Sequence, residues 1–221
     1  FKEKLKFNEK KIIQIDHHLA HASSVYYTSK FKESAILIVD GIGSDLETTS
    51  FFKGSGKKIK LVKKYREFGI GTAYGSVTNH ILNFGTGGEG KTMGLAPYGS
   101  KYKNQIRIKT RFDGIKTDFS NFMKRNPLSD VLNQLNNNLR PNPIKVKHRF
   151  CENKNHLSKY FSGVAYDIQN IAEKTLVHLG KEIYKSVKSK NICLAGGVAL
   201  NSVANKKLID HSNFKNIFVF P

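Results

Sequence analysis

The feature that most constrains this chain is the stretch Ile15–Asp45, where three histidines precede a short apolar run that ends in an aspartate and two glycines. If the residues after Asp16 are helical, His17 and His21 lie one turn apart on the same face, the spacing by which one helix offers two imidazoles to a metal ion. On spacing alone, a structural pair satisfied by backbone carbonyls is the favoured reading. Ala35–Val39 is continuously apolar, as expected of a strand covered on both faces. Asp40, at its carboxyl end, is followed by Gly41 and Gly43, and the carboxyl edge of an α/β sheet is where ligands usually sit.

The rest of the chain supplies the elements such a sheet needs. Lys11–Ile15 reads as a short strand and Leu19–Tyr27 as a helix packed on the sheet. Glu47–Phe52 and Lys60–Tyr65, with Gly54-Ser55-Gly56 between them, read as a β-hairpin. Residues 69–84 have helical spacing, and His80 within them is expected to be a satisfied core or boundary histidine rather than a ligand. Ser158–Lys188 carries one apolar stripe through Phe161, Val164, Ala165, Ile168, Ile171, Ala172, Leu176 and Leu179, the mark of a long packed helix. Ile192–Leu194 reads as a buried strand that turns at Gly196-Gly197 into a helix reaching Leu208, and the chain closes on a further strand. Residues 100–157 are polar and Lys/Asn-rich, with a helix expected over Ser129–Leu139, and read as a peripheral insertion.

Gly85–Gly99 is the densest glycine stretch and reads as a loop. Gly85 and Gly90-Lys91-Thr92 formally satisfy the P-loop spacing, but a helical pattern precedes them and Pro97 interrupts what should be the following helix, so a P-loop is rejected. Glu89 and Lys91 are the charged candidates within it.

Composition bounds the partners. The chain holds 37 Lys and Arg against 17 Asp and Glu, a net +20, yet the basic residues are scattered, as in a solvated surface, and nucleic acid is not the expected partner. Two cysteines outside any Cys-x-x-Cys pair exclude a disulfide framework and fit a cytoplasmic location. No run is long enough to span a membrane, and both ends read as truncations.

Four stretches together resemble the O-carbamoyltransferases of the nodulation-protein and antibiotic type: Asp16-His-His-Leu-Ala-His-Ala-Ser-Ser24, Ile38-Val-Asp-Gly-Ile-Gly43, Lys91-Thr-Met-Gly-Leu-Ala-Pro-Tyr-Gly99 and Leu194-Ala-Gly-Gly-Val-Ala-Leu-Asn-Ser202. The resemblance implies an α/β fold of the actin-like, sugar-kinase and heat-shock-chaperone (ribonuclease H-like) type, incomplete at both ends. Residues 1–221 would form part of the carbamoyl-transfer domain, with the carbamoyl-adenylate-forming domain absent. It implies transfer of carbamoyl, drawn from carbamoyl phosphate and ATP as carbamoyl-adenylate, to a hydroxyl of a sugar-like, glycan or natural-product substrate. His17 and His21 match the family's metal-binding histidines, for iron or zinc, and its third ligand is expected beyond Pro221. Asp40 is then a candidate to orient the hydroxyl or metal-bound water, Lys91 to neutralise phosphate and Glu89 to orient the acceptor. Gly41, Gly43, Gly196, Gly197 and Asn201 are the candidates for nucleotide binding. The competing expectations are a non-catalytic nucleotide-binding module of the same fold and, ranked lower, a tRNA threonylcarbamoyl transferase.

Overall fold

A computed structural model describes residues 12–66, 69–103, 105–106, 109–111, 116–118 and 154–220. A five-stranded mixed sheet has the order β3-β2-β1-β6-β7. Its strands are β1 (Glu33–Val39), β2 (Thr49–Ser55), β3 (Lys58–Tyr65), β6 (Asn191–Ala195) and β7 (Asn216–Val219). The hairpin β2–β3 pairs antiparallel with β1, and β6 and β7 follow in parallel on the other side. A separate antiparallel pair, β4 (Lys109–Arg111) and β5 (Lys116–Asp118), precedes the long helix.

Alternation along β1 decides what each face of the sheet meets. Ala35, Leu37 and Val39 join Phe51, Ile192 and Leu194 on the face covered by α2 (Ile70–Ser76), α4 (Lys154–Val187) and α5 (Ser202–Asp210). Ile36 and Ile38 join Phe52, Cys193 and Ala195 on the opposite face, under α1 (His17–Thr28). Both faces are therefore covered, as the unbroken apolar run requires. Helix α4 buries Ile168, Leu176, Leu179 and Ile183 almost completely, and each contributes about 1.5–3 kcal/mol of apolar burial. Cys193 is a buried free thiol, in keeping with a small core hydrophobe.

Several elements depart from the sequence reading. Residues 12–16 are irregular, with Ile12, Ile13 and Ile15 exposed, because none of the strands described pairs with them. The helix from Ile70 widens at Val77–Ile81 into a π-turn. The glycine-rich stretch is mostly helical: α3 covers Glu89–Leu95 and a 3-10 segment continues over Ala96–Tyr102, with Pro97 tolerated in its first turn. Buried contacts override the low helix propensity of glycine there, since Thr92 Oγ1 lies 2.8 Å from Thr78 Oγ1 beneath α3. The start of the proposed insertion is tied to the core: the Gln105 and Ile106 amides donate to Asp167 Oδ2 of α4 at 2.7 and 3.0 Å. The helix expected over Ser129–Leu139, and Cys151, lie outside the described residues.

Candidate functional site

Helix α1 begins where Asp16 caps it, its Oδ1 accepting from the Leu19 amide at 2.8 Å. Asp16 Oδ2 also accepts from Lys64 Nζ at 2.9 Å, which ties the start of α1 to β3. The His17 amide donates to Ser44 Oγ at 3.2 Å, joining the helix to the turn after Asp40. This start sets the helical phase, and therefore which histidine faces where.

His17 and His21 face the carboxyl end of β1. Their Nε2 atoms lie 3.0 and 3.1 Å from Asp40 Oδ2, and their rings meet edge to face with centroids 4.7 Å apart. One donor atom from each of the three residues falls within 4.8 Å of the other two, a set that would accept a divalent cation. Asp40 is fixed from its other oxygen, Oδ1, which accepts from the Gly41 and Gly197 amides at 2.8 and 3.2 Å. Burial works to raise the Asp40 pKa, but the His17 contact and these two amides outweigh it and hold the carboxyl below its ordinary value. The donor set mixes imidazole nitrogen and carboxylate oxygen, which suits zinc or iron.

His18 points the other way. It is fully buried, with Nδ1 2.7 Å from Ser50 Oγ, and burial pushes its pKa down to about 4 against the opposing pull of Glu47 and Asp40.

Asp40 of the triad also lines a cleft of about 520 Å3, together with Gly41, Tyr74, Glu89, Met93, Gly197, Val198, Leu200, Asn201 and three further glycines. Gly196 holds φ +91, and a Cβ there would collide with the Val39 carbonyl, so only glycine permits this approach of the β6 turn to β1. Asn201 caps α5 by accepting from the Ala204 amide at 3.0 Å. Its Nδ2 donates to Gln169 Oε1 at 2.9 Å, and Tyr74 Oη donates to that same oxygen at 2.8 Å. Burial, with Glu89 and Glu173 nearby, raises the Tyr74 phenol well above its ordinary value, so it stays a hydrogen-bond donor.

The residues singled out in the sequence are thus partly gathered. His17 and His21 meet Asp40, and Asp40 lines one cleft with Gly41, Glu89, Gly197 and Asn201. Gly43 instead packs on the Glu47 side chain, Gly196 backs onto β1, and Lys91 is exposed on α3, outside the residues that line the cleft. His80 is half-buried outside that lining, with its pKa lowered by burial. The sequence does not single out Tyr74, Gln169 and Met93: Tyr74 and Gln169 lie in helical patterns that do not tell which members meet at a cleft wall, and Met93 lies in a stretch that reads as a loop.

A His–His–Asp triad at a strand end, its aspartate lining a cleft, marks a candidate metal and ligand site in an α/β fold. Residues 2–221 match the model of the carbamoyltransferase N-terminus, and the chain belongs to that family. It is similar to an uncharacterized Synechocystis protein, sll1178, with 32% identity over 93% of this chain and 33% of that protein. It is also similar to the nodulation protein NolNO of Sinorhizobium fredii, with 27% identity over 94% of this chain and 28% of that protein. The chain therefore spans about a third of the length of these relatives. Among solved structures, the crystal structure of HypF from T. kodakarensis has a similar fold at 12% identity, with a TM-score of 0.50, covering 99% of this chain and 35% of that one. No helix among the described residues is long and apolar enough to cross a membrane.

Proposed function

We propose that this chain is the metal- and nucleotide-binding part of an ATP-dependent O-carbamoyltransferase that passes carbamoyl from carbamoyl-adenylate to a substrate hydroxyl. The observation that carries the reading is the His17–His21–Asp40 set, whose aspartate lines a cleft, in a chain of the carbamoyltransferase family. The strand order, with an antiparallel hairpin on one side of β1 and parallel strands on the other, supports an actin-like, ribonuclease H-like reading of the fold.

His17, His21 and Asp40 would hold the cation, which when bound supplies Lewis-acid polarisation of the carbamoyl carbonyl or the adenylate phosphate. The Gly41 and Gly197 amides keep Asp40 aimed at the histidines. Met93, Val198 and Leu200 offer an apolar surface for the adenine, and the Tyr74–Gln169–Asn201 chain stiffens the wall beside it. In the transfer, the hydroxyl oxygen bonds to the carbamoyl carbon, the bond from that carbon to the phosphate oxygen breaks, and AMP leaves. Asp40's oxygens are taken up by two imidazoles and two amides, so Glu89, the other carboxylate of the cleft, accepts the hydroxyl proton. Lys91, exposed outside the lining, has no part in this step.

The test is AMP release by the intact protein, supplied with ATP, carbamoyl phosphate and a panel of sugar and glycan acceptors. Acceptor-dependent AMP and a carbamoylated product by mass spectrometry are expected, both lost in His21→Ala. Tight nucleotide binding with no transfer to any acceptor would favour the non-catalytic module instead.

A further inference from the structure

The turn that follows Asp40 wraps a further carboxylate that the transfer step does not use. Glu47 is completely buried at the foot of the turn that follows Asp40. Its Oε2 accepts from the Asp45 amide at 2.7 Å, and its backbone carbonyl accepts from the Gly43 amide at 2.6 Å. A Cβ on Gly43 would collide with the Glu47 carboxylate, so the turn is wrapped directly onto it. The next residue, Thr48, receives the Asp40 amide on its carbonyl at 2.9 Å, which couples Glu47 to the backbone of the triad's aspartate.

The other oxygen, Glu47 Oε1, is buried and has no hydrogen-bond partner among the described residues, and the same holds for His18 Nε2. The buried His18 ring stands 5.8 Å, centroid to centroid, from the His17 ring. A buried carboxylate satisfied on one oxygen only is costly, and a positive charge close by is what offsets such a cost. Lys64 and Arg66 both feel Glu47, but their head groups are engaged by Asp16 and Asp45 on the outer side of the turn. On the inner side, the positive charge would be a cation held by His17, His21 and Asp40.

We infer that Glu47 is a positioning residue of the metal site: its buried charge favours a divalent cation at the triad, and its carboxylate holds the Gly41–Leu46 turn so that Asp40 faces the histidines. This rests on the metal reading proposed above. Two functions are combined, and chemistry separates them. Glu47→Gln keeps the size and the acceptor for the Asp45 amide but removes the charge. Glu47→Ala removes both. Gly43→Ala leaves the charge and displaces the carboxylate.

The experiment is titration of the metal-free intact protein with Co2+, read by its d–d absorption, alongside Zn2+ competition and thermal unfolding with chelator present. Groups that support metal ligands in this way typically change affinity by about 10–100-fold. Glu47→Gln is expected to lower Co2+ affinity by about tenfold or more with its metal-free melting little changed, and Gly43→Ala to weaken binding with a changed Co2+ spectrum. Wild-type affinity in Glu47→Gln and Gly43→Ala overturns this inference alone. Collapse of both folded proteins before metal is added makes Glu47 a packing element and also overturns it. A wild-type protein that takes up no Co2+ or Zn2+ overturns the metal reading itself, and this inference with it.

Discussion

Asp40 Oδ2 stands between two imidazoles, 3.0 Å from His17 Nε2 and 3.1 Å from His21 Nε2, so a residue on β1 and two residues on α1 share one point. Without a cation, the imidazoles must donate their own protons to this oxygen. With one, the same three atoms turn their lone pairs inward. Elemental analysis of the intact protein is expected to give about one zinc or iron per chain, with three protein donors leaving further positions open. His21→Ala and Asp40→Ala are expected to bring that to near zero after dialysis against chelator, with circular dichroism unchanged. Full occupancy in Asp40→Ala would remove the aspartate from the ligand set.

His18 gives the metal-free protein a defined pH dependence. Burial lowers its pKa from the ordinary 6.5 to about 4, so the unfolded chain takes up the proton first as the solution is acidified. The stability tied to neutral His18 is therefore complete above about pH 6.5, is lost as pH falls toward about 4, and amounts to about 3 kcal/mol over that window. Hydrogen exchange at the α1 and β1 amides, with chelator present, should show protection falling across pH 6.5 to 4. His18→Asn should be less stable at pH 7 and flatter with pH; an unchanged slope would mean another group carries the loss.

Much of the fold was legible because its signals are local. The unbroken apolar run of β1 announces a strand covered on both faces, and the stripe from Val164 to Leu179 announces α4. The histidine pair was legible from the pitch of a helix. That Asp40 would meet both imidazoles was not, because it requires the register of α1 on β1 across 19 and 23 residues of sequence. Gly85–Gly99 misled because glycine signals loop locally, whereas burial of Thr92 and Ala96 makes most of it helical. Glu47 gave no sign at all: it is the first residue of the strand expected over Glu47–Phe52, and only the packed turn reveals it as buried.

The Asp16–Lys64 pair couples the start of α1 to β3, with Lys64 Nζ also 3.5 Å from Asp45 Oδ2. The hydrogen bond to Asp16, though opposed by partial burial, raises the Lys64 pKa, so both groups are charged at neutral pH. A double-mutant cycle with Asp16→Asn and Lys64→Met should give a coupling of about 0.5–1 kcal/mol at low salt, shrinking in 1 M NaCl. Asp16→Ala should cost about 1 kcal/mol beyond that coupling, through the lost cap on Leu19. A zero coupling energy would mean that the helix start is held by its cap and the His17–Ser44 contact without help from Lys64.

Gly196 offers the sharpest test of the cleft's wall, because two separate costs meet at one atom. Its φ of +91 lies where side chains are strained, and any Cβ would be driven into the Val39 carbonyl, one residue before Asp40. Gly196→Ala should therefore destabilise by about 1–3 kcal/mol, and relief must come from β1 and the β6 turn moving apart. That movement would pull the Gly197 amide away from Asp40 Oδ1, now 3.2 Å distant, and loosen the triad from the side opposite the histidines. Metal affinity and stability should fall together in Gly196→Ala. In Val203→Ala, an exposed position on α5 in the same part of the chain, both should stay within error of wild type. A Gly196→Ala protein that loses stability but binds metal as wild type would show that Asp40 is held by the histidines and Gly41 without help from the β6 turn.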